Sequence, residues 1–258
     1  MENYFDLRGK VAVVTGASSG LGADAARAYA GCGADVALFA RRKEKLEAVA
    51  GELRQKGVRA LAIQCDVTSE ESVKAAVEEV IREFGRIDIL LNNAGVAVRG
   101  RVDNMTVEEW DKSFDTNVKG MFLVSKYVVP HMQAQRYGKI VNLASVNAVL
   151  ASKDPNLSRH SYNASKAAVR GLTMGMAATY MQDGITVNSV GPGLFETEMT
   201  ANTLFANERF LQGYSMANPA SRPARRGELN GTILYFSSDA SSYVTSQHII
   251  VDGGLSVV

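Results

Sequence analysis

The sequence predicts an α/β fold in which helices cover both faces of a mainly parallel sheet. Seven short apolar runs are rich in Val, Ile and Leu with little polar alternation, which is typical of strands buried on both faces. Longer stretches with helical periodicity separate these runs, and this alternation predicts βαβ units. Because no linker, repeat or shift in composition divides the chain, we expect one domain over residues 1–258.

The predicted strands and helices follow one another without long gaps. In chain order, the strands are Val11–Thr15, Asp35–Ala40, Ala60–Cys65, Ile87–Leu91, Ile140–Leu143, Thr186–Val190 and Ile249–Val251. A helix is predicted over Ala23–Ala30, and another begins at a capping box of Thr68 and Glu71. Thr106 and Glu109 repeat that signature. The least regular segment, 194–227, is the predicted substrate lid.

Composition excludes several classes of protein. Twenty-eight Lys and Arg balance 27 Asp and Glu, so the charge of +1 favours neither a nucleic acid nor an anionic membrane as partner. Cys32 and Cys65 lie in apolar contexts and are predicted to be buried free thiols in a reducing compartment. The start carries no apolar targeting segment, so we expect a cytoplasmic protein. The three histidines are scattered, and no metal site is predicted.

A glycine-rich turn follows the first strand and precedes the first helix. Its glycines, Gly16, Gly20 and Gly22, enclose Ser18, Ser19 and Leu21. Glycine lets the backbone approach a ligand closely, and a helix N-terminus offers free N–H groups to an anion. The turn therefore predicts a phosphate site of a dinucleotide. The alternative is a tight turn that binds nothing.

The second strand indicates which dinucleotide is preferred. It ends in Arg41 and Arg42, with no carboxylate at its tip. A carboxylate there would bind the ribose hydroxyls of NAD, whereas arginine accommodates the 2′-phosphate of NADP. We therefore expect NADP(H) as cofactor, unless these cations only form the solvated start of the next helix.

Tyr162 and Lys166 form a candidate proton-transfer pair. A spacing of four places both side chains on one face of a helix. A neighbouring ammonium lowers the pKa of a phenol, which then exchanges a proton more readily with a carbonyl or alcohol oxygen. As an isolated pair they would more simply pack on a surface helix.

Several further motifs occur in one order along nearly the whole chain, and together they resemble the short-chain dehydrogenase/reductase family. The resemblance implies a single Rossmann-like, doubly wound domain with a seven-stranded parallel sheet, a nicotinamide cofactor and a homo-oligomer, commonly a tetramer. The motifs are Thr15–Gly22, Asn92–Gly95, Ser145, Tyr162 with Lys166, Gly191–Gly193 and Val251–Gly254.

The resemblance also implies roles for individual residues. Tyr162 resembles the family's catalytic acid and base, and Lys166 the residue that lowers its pKa and binds the nicotinamide ribose. Ser145 resembles the hydroxyl that holds the substrate oxygen, and Asn117 the residue that supports a proton relay through water. The implied cofactor contacts are Asn93, Ala94 and Gly95 beside the cofactor, Asp66 and Val67 at the adenine, and Pro192, Gly193 and Thr197 at the nicotinamide.

One spacing departs from the family's usual pattern. Tyr162 follows Ser145 by 17 positions, so residues 146–161 are expected to form a longer loop over the substrate pocket. This loop and residues 96–102 carry cations that would hold an anionic substrate, if they are not merely solvated. These cations are Arg99, Arg101, Lys153, Arg159 and His160. The lid adds apolar side chains, namely Phe195, Met199, Leu204, Phe205, Phe210, Leu211 and Met216.

These features predict an NADP(H)-dependent oxidoreductase that interconverts a secondary alcohol and a ketone on a small organic substrate. By resemblance, the substrate is a sugar acid such as gluconate, or a hydroxysteroid. A 3-oxoacyl carrier-protein reductase is the alternative within the family. A non-catalytic NADP-binding sensor or scaffold is the alternative from another class.

Overall fold

The computed structural model describes residues 3–198 and 200–258. Within these ranges seven strands form one parallel sheet of order β3-β2-β1-β4-β5-β6-β7. The order reverses between β1 and β4, and ligands of open α/β sheets bind outside the strand ends at such a point. The strands are β1 Val11–Thr15, β2 Asp35–Ala40, β3 Ala60–Gln64, β4 Ile89–Asn92, β5 Gly138–Leu143, β6 Ile185–Pro192 and β7 His248–Val251.

Helices cover both faces of the sheet, as the sequence predicts. One buried cluster joins the sheet to α1, α2 and α8, and a second joins its other face to α3, α5 and α6. The predicted fold class is therefore confirmed. The helices are α1 Gly20–Gly31, α2 Lys43–Arg54, α3 Glu70–Phe84, α4 Val107–Phe114, α5 Gly120–Gln135, α6 His160–Tyr180, α7 Glu208–Ala217 and α8 Asn230–Ser237.

The two predicted capping boxes have different outcomes. Thr106 and Glu109 form the reciprocal box at the start of α4. The box at Thr68 is wrong, because Ser69 caps α3 and accepts a hydrogen bond from the Ser72 N–H at 3.3 Å. Thr68 instead donates through its N–H and hydroxyl to the carboxylate of Asp66.

The structure also bears on the predictions for the cysteines and the substrate lid. Both cysteines are free, but only Cys65 is buried, whereas Cys32 is partly exposed. None of the helices described is long and apolar enough to cross a membrane. In the predicted lid, α7 is regular, Phe195 and Leu204 are buried, and Met216 is exposed. Met199 lies outside the described residues.

Candidate active site

The glycine turn lies directly between β1 and α1. Gly16 has a positive φ of 65°, and a Cβ atom there would lie 2.8 Å from Nδ2 of Asn93. A Cβ atom on Gly22 would lie 2.6 Å from the carbonyl oxygen of Gly16, so both positions require glycine. Ser19 precedes α1 without a side-chain cap, which leaves N–H groups of the first turn available to an anion.

Asn93 fastens this turn to the end of β4. Its Nδ2 donates to the carbonyl oxygens of Thr15 at 2.8 Å and Gly16 at 3.1 Å. The N–H groups of Asn93 and Ala94 both donate to the Thr15 hydroxyl, at 2.9 and 3.0 Å. The turn and the segment after β4 therefore form one fixed wall at the point where the strand order reverses.

A cleft of about 470 Å³ runs along this wall to the start of α6. It is lined by every residue predicted to contact the cofactor except Gly22, whose position is filled from behind by Asn93. The lining residues on that prediction are Gly16, Ser18, Ser19, Gly20, Leu21, Arg41, Arg42, Asp66, Val67, Asn93, Ala94, Gly95, Tyr162, Lys166, Pro192, Gly193 and Thr197.

One end of the cleft, here called the adenosine end, is polar and open. Asp66 accepts at Oδ1 from the N–H and hydroxyl of Thr68, at 3.0 and 2.8 Å, and these bonds lower the pKa of its carboxyl. Arg42 donates to the hydroxyls of Ser18 and Ser19, both at 3.0 Å. This end therefore offers a fixed carboxylate and an oriented guanidinium to a ligand.

The other end, here called the catalytic end, holds Tyr162 and Lys166 on α6. The Lys166 Nζ lies 5.8 Å from the centre of the Tyr162 ring and donates to the carbonyl oxygen of Leu143 at 2.7 Å. Lys166 is buried, and burial lowers its pKa to about 8. An ammonium has three donors, so this single bond leaves two for ligand hydroxyls.

Ser145 meets Tyr162 from the end of β5. Burial is the largest effect on the pKa of the Tyr162 phenol and raises it, whereas the Ser145 side chain and the charge of Arg159 lower it. The Lys166 ammonium donates to the carbonyl oxygen of Leu143 and is not among the groups that lower this pKa. Protein groups alone thus leave this phenol protonated at neutral pH.

Asn117 lies in a five-residue π-helical turn, Asp115–Lys119, between α4 and α5. Its Oδ1 accepts from the Val96 N–H at 2.8 Å, and its Nδ2 donates to the Val96 carbonyl oxygen at 2.9 Å and to the Ser165 hydroxyl at 3.0 Å. A Cβ on Gly95 would lie 3.1 Å from Asn117 Oδ1 and 3.5 Å from Lys166 Nζ. Asn117 therefore fixes the segment after β4 against α6, close to the Lys166 ammonium.

The longer loop after Ser145 is folded back onto the site. Gly100 pairs with Arg159 in a β-bridge, and Asn163 donates to the carbonyl oxygens of Asn147 and Leu150. Ser145 and Tyr162 both line the cleft, so the extra residues do not displace these two groups from it. Asn163 was not singled out by the sequence, because its role depends on which carbonyls the folded loop presents.

The predicted anion-binding cations do not act as one group. Arg101 pairs with Asp103, and His160 accepts at Nδ1 from the Val102 N–H at 3.0 Å. Within residues 3–198 and 200–258, the buried Nε of Arg159 has no hydrogen-bond partner. The pKa of Arg159 is lowered overall. Burial is the main cause and the charge of Arg99 adds to it, whereas Tyr162 acts in the opposite direction. Among these predicted anion-binding cations, Arg159 is the one whose charge acts on the Tyr162 phenol.

The parts of this site fit a dinucleotide: a glycine cradle without Cβ atoms, free N–H groups at α1 and spare donors on Lys166. In the described parts of the chain, no three His, Cys, Asp or Glu side chains gather in a way that would hold a metal ion. The model of the short chain dehydrogenase family matches residues 10–207. The chain belongs to this family. It is an oxidoreductase that acts on CH–OH groups.

Relatives of the chain within the short chain dehydrogenase family carry different names. The gluconate 5-dehydrogenase of Gluconobacter oxydans (strain 621H) is 39% identical over 255 residues, which cover 99% of this chain and 98% of that protein. A 3-oxoacyl-[acyl-carrier-protein] reductase of Staphylococcus aureus is 38% identical, covering 95% and 98%. A solved gluconate 5-dehydrogenase from Burkholderia cenocepacia J2315, in complex with NADP and tartrate, superimposes with a TM-score of 0.93 at 36% identity, covering 99% and 98%.

Proposed function

We propose that the protein is an NADP(H)-dependent oxidoreductase that interconverts a secondary alcohol and a ketone on a sugar acid such as gluconate. The observation that carries the proposal is that Ser145, Tyr162 and the buried Lys166 line one cleft, with Lys166 Nζ 5.8 Å from the centre of the Tyr162 ring. A non-catalytic sensor on the same fold would not need to keep these side chains together with Asn117.

The preference for NADP(H) is supported by the tip of β2. The strand ends at Ala40, so β2 itself places no carboxylate at its tip, where one would bind the ribose hydroxyls of NAD. Arg41 and Arg42 follow, and both line the cleft. The relative from Burkholderia cenocepacia was solved with NADP, which is consistent with this assignment.

The residues of the catalytic end account for the proton that accompanies the redox step. A nicotinamide bound in the cleft supplies the hydride acceptor or donor. The hydroxyls of Ser145 and Tyr162 donate hydrogen bonds to the substrate oxygen, where negative charge develops when a ketone is reduced. Tyr162 then gives its proton to that oxygen, and in the reverse direction it accepts the proton from the alcohol. Lys166 keeps two N–H donors for ligand hydroxyls beside this phenol.

The substrate class is supported by Arg159. Its guanidinium acts electrostatically on Tyr162, its buried Nε has no hydrogen-bond partner among the residues that the structure describes, and Arg99 brings a second positive charge. A carboxylate on the substrate would pair with the accessible part of this half-buried guanidinium and offset the repulsion between the two guanidiniums. A gluconate molecule carries that carboxylate, whereas the acyl thioester and steroid ketone alternatives carry no carboxylate as a required feature.

A substrate panel tests the proposal. Absorbance at 340 nm follows the formation of NADPH from NADP⁺, or of NADH from NAD⁺. The substrates are gluconate, its neutral analogue gluconamide, a 3-hydroxyacyl thioester and a hydroxysteroid. We expect the highest kcat/KM with gluconate and NADP⁺. A higher value with the thioester would favour the 3-oxoacyl carrier-protein reductase that the Staphylococcus aureus relative is named for. Cofactor binding without turnover of any substrate would favour the sensor.

We also propose a cytoplasmic homo-oligomer, a tetramer by family resemblance. Two free thiols fit a reducing compartment. Exposed apolar side chains on three successive helices, Trp110 on α4, Phe122 on α5 and Met174 on α6, support association between copies of the chain. Sedimentation velocity checks the mass: a tetramer is expected, and a monomer at micromolar concentration would contradict the assignment.

A further inference from the structure

The carboxylate of Glu198, at the start of the predicted lid, lies among the cations of the adenosine end. Its Oε2 accepts from Arg42 Nη2 at 2.6 Å and from the Ser19 hydroxyl at 2.9 Å, and its Oε1 accepts from Lys45 Nζ at 2.5 Å. Arg42 Nη2 also donates to the Ser18 hydroxyl. The four residues Ser18, Ser19, Arg42 and Lys45 are here called the adenosine-end cluster.

The adenosine-end cluster is where the 2′-phosphate of NADP(H) is expected to bind. It joins the glycine turn to the start of α2, directly after the strand tip that favours this phosphate. A carboxylate and a phosphate are both anions that accept charge-assisted hydrogen bonds from a guanidinium. Glu198 therefore makes, within the protein, the contacts that a 2′-phosphate would make.

The two anions exclude each other from the cluster. At hydrogen-bond distances from the same guanidinium nitrogen their oxygens would lie within a few ångströms, where like charges repel. The pKa of Glu198 is lowered to about 2, chiefly by Lys45 and Arg42, so the carboxyl is ionised at neutral pH and would not lose its charge to make room.

We propose that Glu198 is a specificity-determining residue that competes with the 2′-phosphate of NADP(H) for the adenosine-end cluster. The inference rests on the proposed use of NADP(H). NADP(H) must displace the carboxylate, whereas a cofactor without the 2′-phosphate leaves it in place. Glu198 thus reduces the preference for NADP(H) over NAD(H) that Arg41 and Arg42 create.

The same contact couples the cluster to the lid. Glu198 follows Thr197, whose side chain lies 3.3 Å from the position of a Cβ on Gly20. Thr197 is also hydrogen-bonded to Thr200 through its N–H, at 2.9 Å. Displacing the carboxylate therefore releases one of the attachments that hold the start of the lid across the glycine turn.

Binding of cofactor fragments tests the proposal without catalysis. Dissociation constants for adenosine 2′,5′-bisphosphate and for 5′-AMP are measured by titration calorimetry with the wild type, Glu198→Gln and Glu196→Gln. Glu196 is the matched control, because it lies on the same segment, is exposed and makes no ion pair with any residue in the described ranges. Glutamine keeps the size and one acceptor of Glu198 but removes its charge.

We expect Glu198→Gln to bind the bisphosphate about three- to tenfold more tightly, since exposed ion pairs are weak competitors. Its affinity for 5′-AMP should stay within about twofold. Glu196→Gln should match the wild type for both ligands. Unchanged or weaker binding of the bisphosphate by Glu198→Gln would overturn the proposal.

The outcomes also separate this inference from the cofactor assignment. A wild type that prefers the bisphosphate, with the same preference in Glu198→Gln, overturns the role of Glu198 alone. A wild type without preference, with a preference gained in Glu198→Gln, supports the competition but contradicts the proposed NADP(H) specificity. No preference in either protein overturns both.

Amide hydrogen exchange gives an independent readout of the lid. In the wild type, the bisphosphate should speed exchange in a peptide that covers residues 200–206, while 5′-AMP should not. Glu198→Gln should exchange faster there before any ligand is added. Slower exchange on bisphosphate binding would contradict release of the lid.

Discussion

The two ends of the cleft differ in whether their cationic side chains are exposed and paired with a carboxylate. At the adenosine end, Arg42 and Lys45 are exposed and both are paired with Glu198. At the catalytic end, Lys166 is buried with one carbonyl partner, and Arg159 keeps a buried Nε for which the described chain offers no acceptor. Exposed pairs contribute little stability, whereas a buried donor without a hydrogen-bond partner costs about 1–3 kcal/mol.

This difference indicates how each end meets its ligand. An anionic ligand at the adenosine end must compete with the Glu198 carboxylate, which already pairs with Arg42 and Lys45. A ligand at the catalytic end completes groups that folding leaves incomplete, so its binding offsets part of the desolvation cost. The predictions below test this contrast, from the largest expected effect to the smallest.

The largest effect is expected at the phenol. Tyr162→Phe removes the proton donor and keeps the ring, so kcat should fall by about 10²- to 10⁴-fold while NADPH binding stays within about twofold. Stopped-flow absorbance at 340 nm measures the first quantity, and NADPH fluorescence measures the second. Activity within about tenfold of the wild type would remove Tyr162 from its role.

A smaller loss is expected at Ser145. Ser145→Ala removes one hydrogen-bond donor to the developing oxyanion, so kcat should fall by about 10²-fold. Ser145→Thr retains a hydroxyl and is the matched control, expected to keep more activity than the alanine variant. Equal losses in both variants would indicate that the position acts through packing. The Asn147 N–H, which Ser145 caps at 3.1 Å, would then be the relevant contact.

The buried ammonium of Lys166 predicts a pH-dependent stability. Its folded pKa of about 8 lies below the ordinary value of 10.5. Between these two values the unfolded chain binds more protons, so the free energy of unfolding rises with pH in this window. From pH 7.5 to 9.5, Lys166 should add about 2 kcal/mol.

Urea unfolding of the wild type and of Lys166→Met at both pH values isolates this contribution. The methionine variant keeps an apolar chain of similar length but has no proton to lose. Burial also lowers the pKa of Lys139, and this contribution cancels in the difference because it is present in both proteins. An identical pH dependence in the two proteins would show that Lys166 is not the buried titrating group.

Much of the fold follows from local sequence patterns. Strands β1 and β2 have the predicted bounds, because apolar runs between turn residues are decided locally. Strand β6 continues past Val190 to Pro192, because these last residues pair with β7, which is distant in the sequence. Ser69 replaces Thr68 as the cap of α3 because Asp66 holds the Thr68 side chain.

The residues that line the cleft could be predicted from the sequence, but the electrostatics of the cleft could not. The positions that line the cleft could be named from motifs, because the order of motifs carries the family. Glu198 was not found, since it meets Arg42 only after a separation of 156 residues closes in space. The raised pKa of Tyr162 was also missed, because burial depends on the packing of the whole catalytic end.

The most direct test of the contrast compares a charged with a neutral substrate at Arg159. Kinetics of Arg159→Met with gluconate and gluconamide should show kcat/KM for gluconate about 10- to 50-fold lower, and that for gluconamide within about twofold of the wild type. Arg101→Met, whose arginine is already paired with Asp103, is the control and should leave both values unchanged. Equal losses for the two substrates in Arg159→Met would contradict a carboxylate partner for this guanidinium.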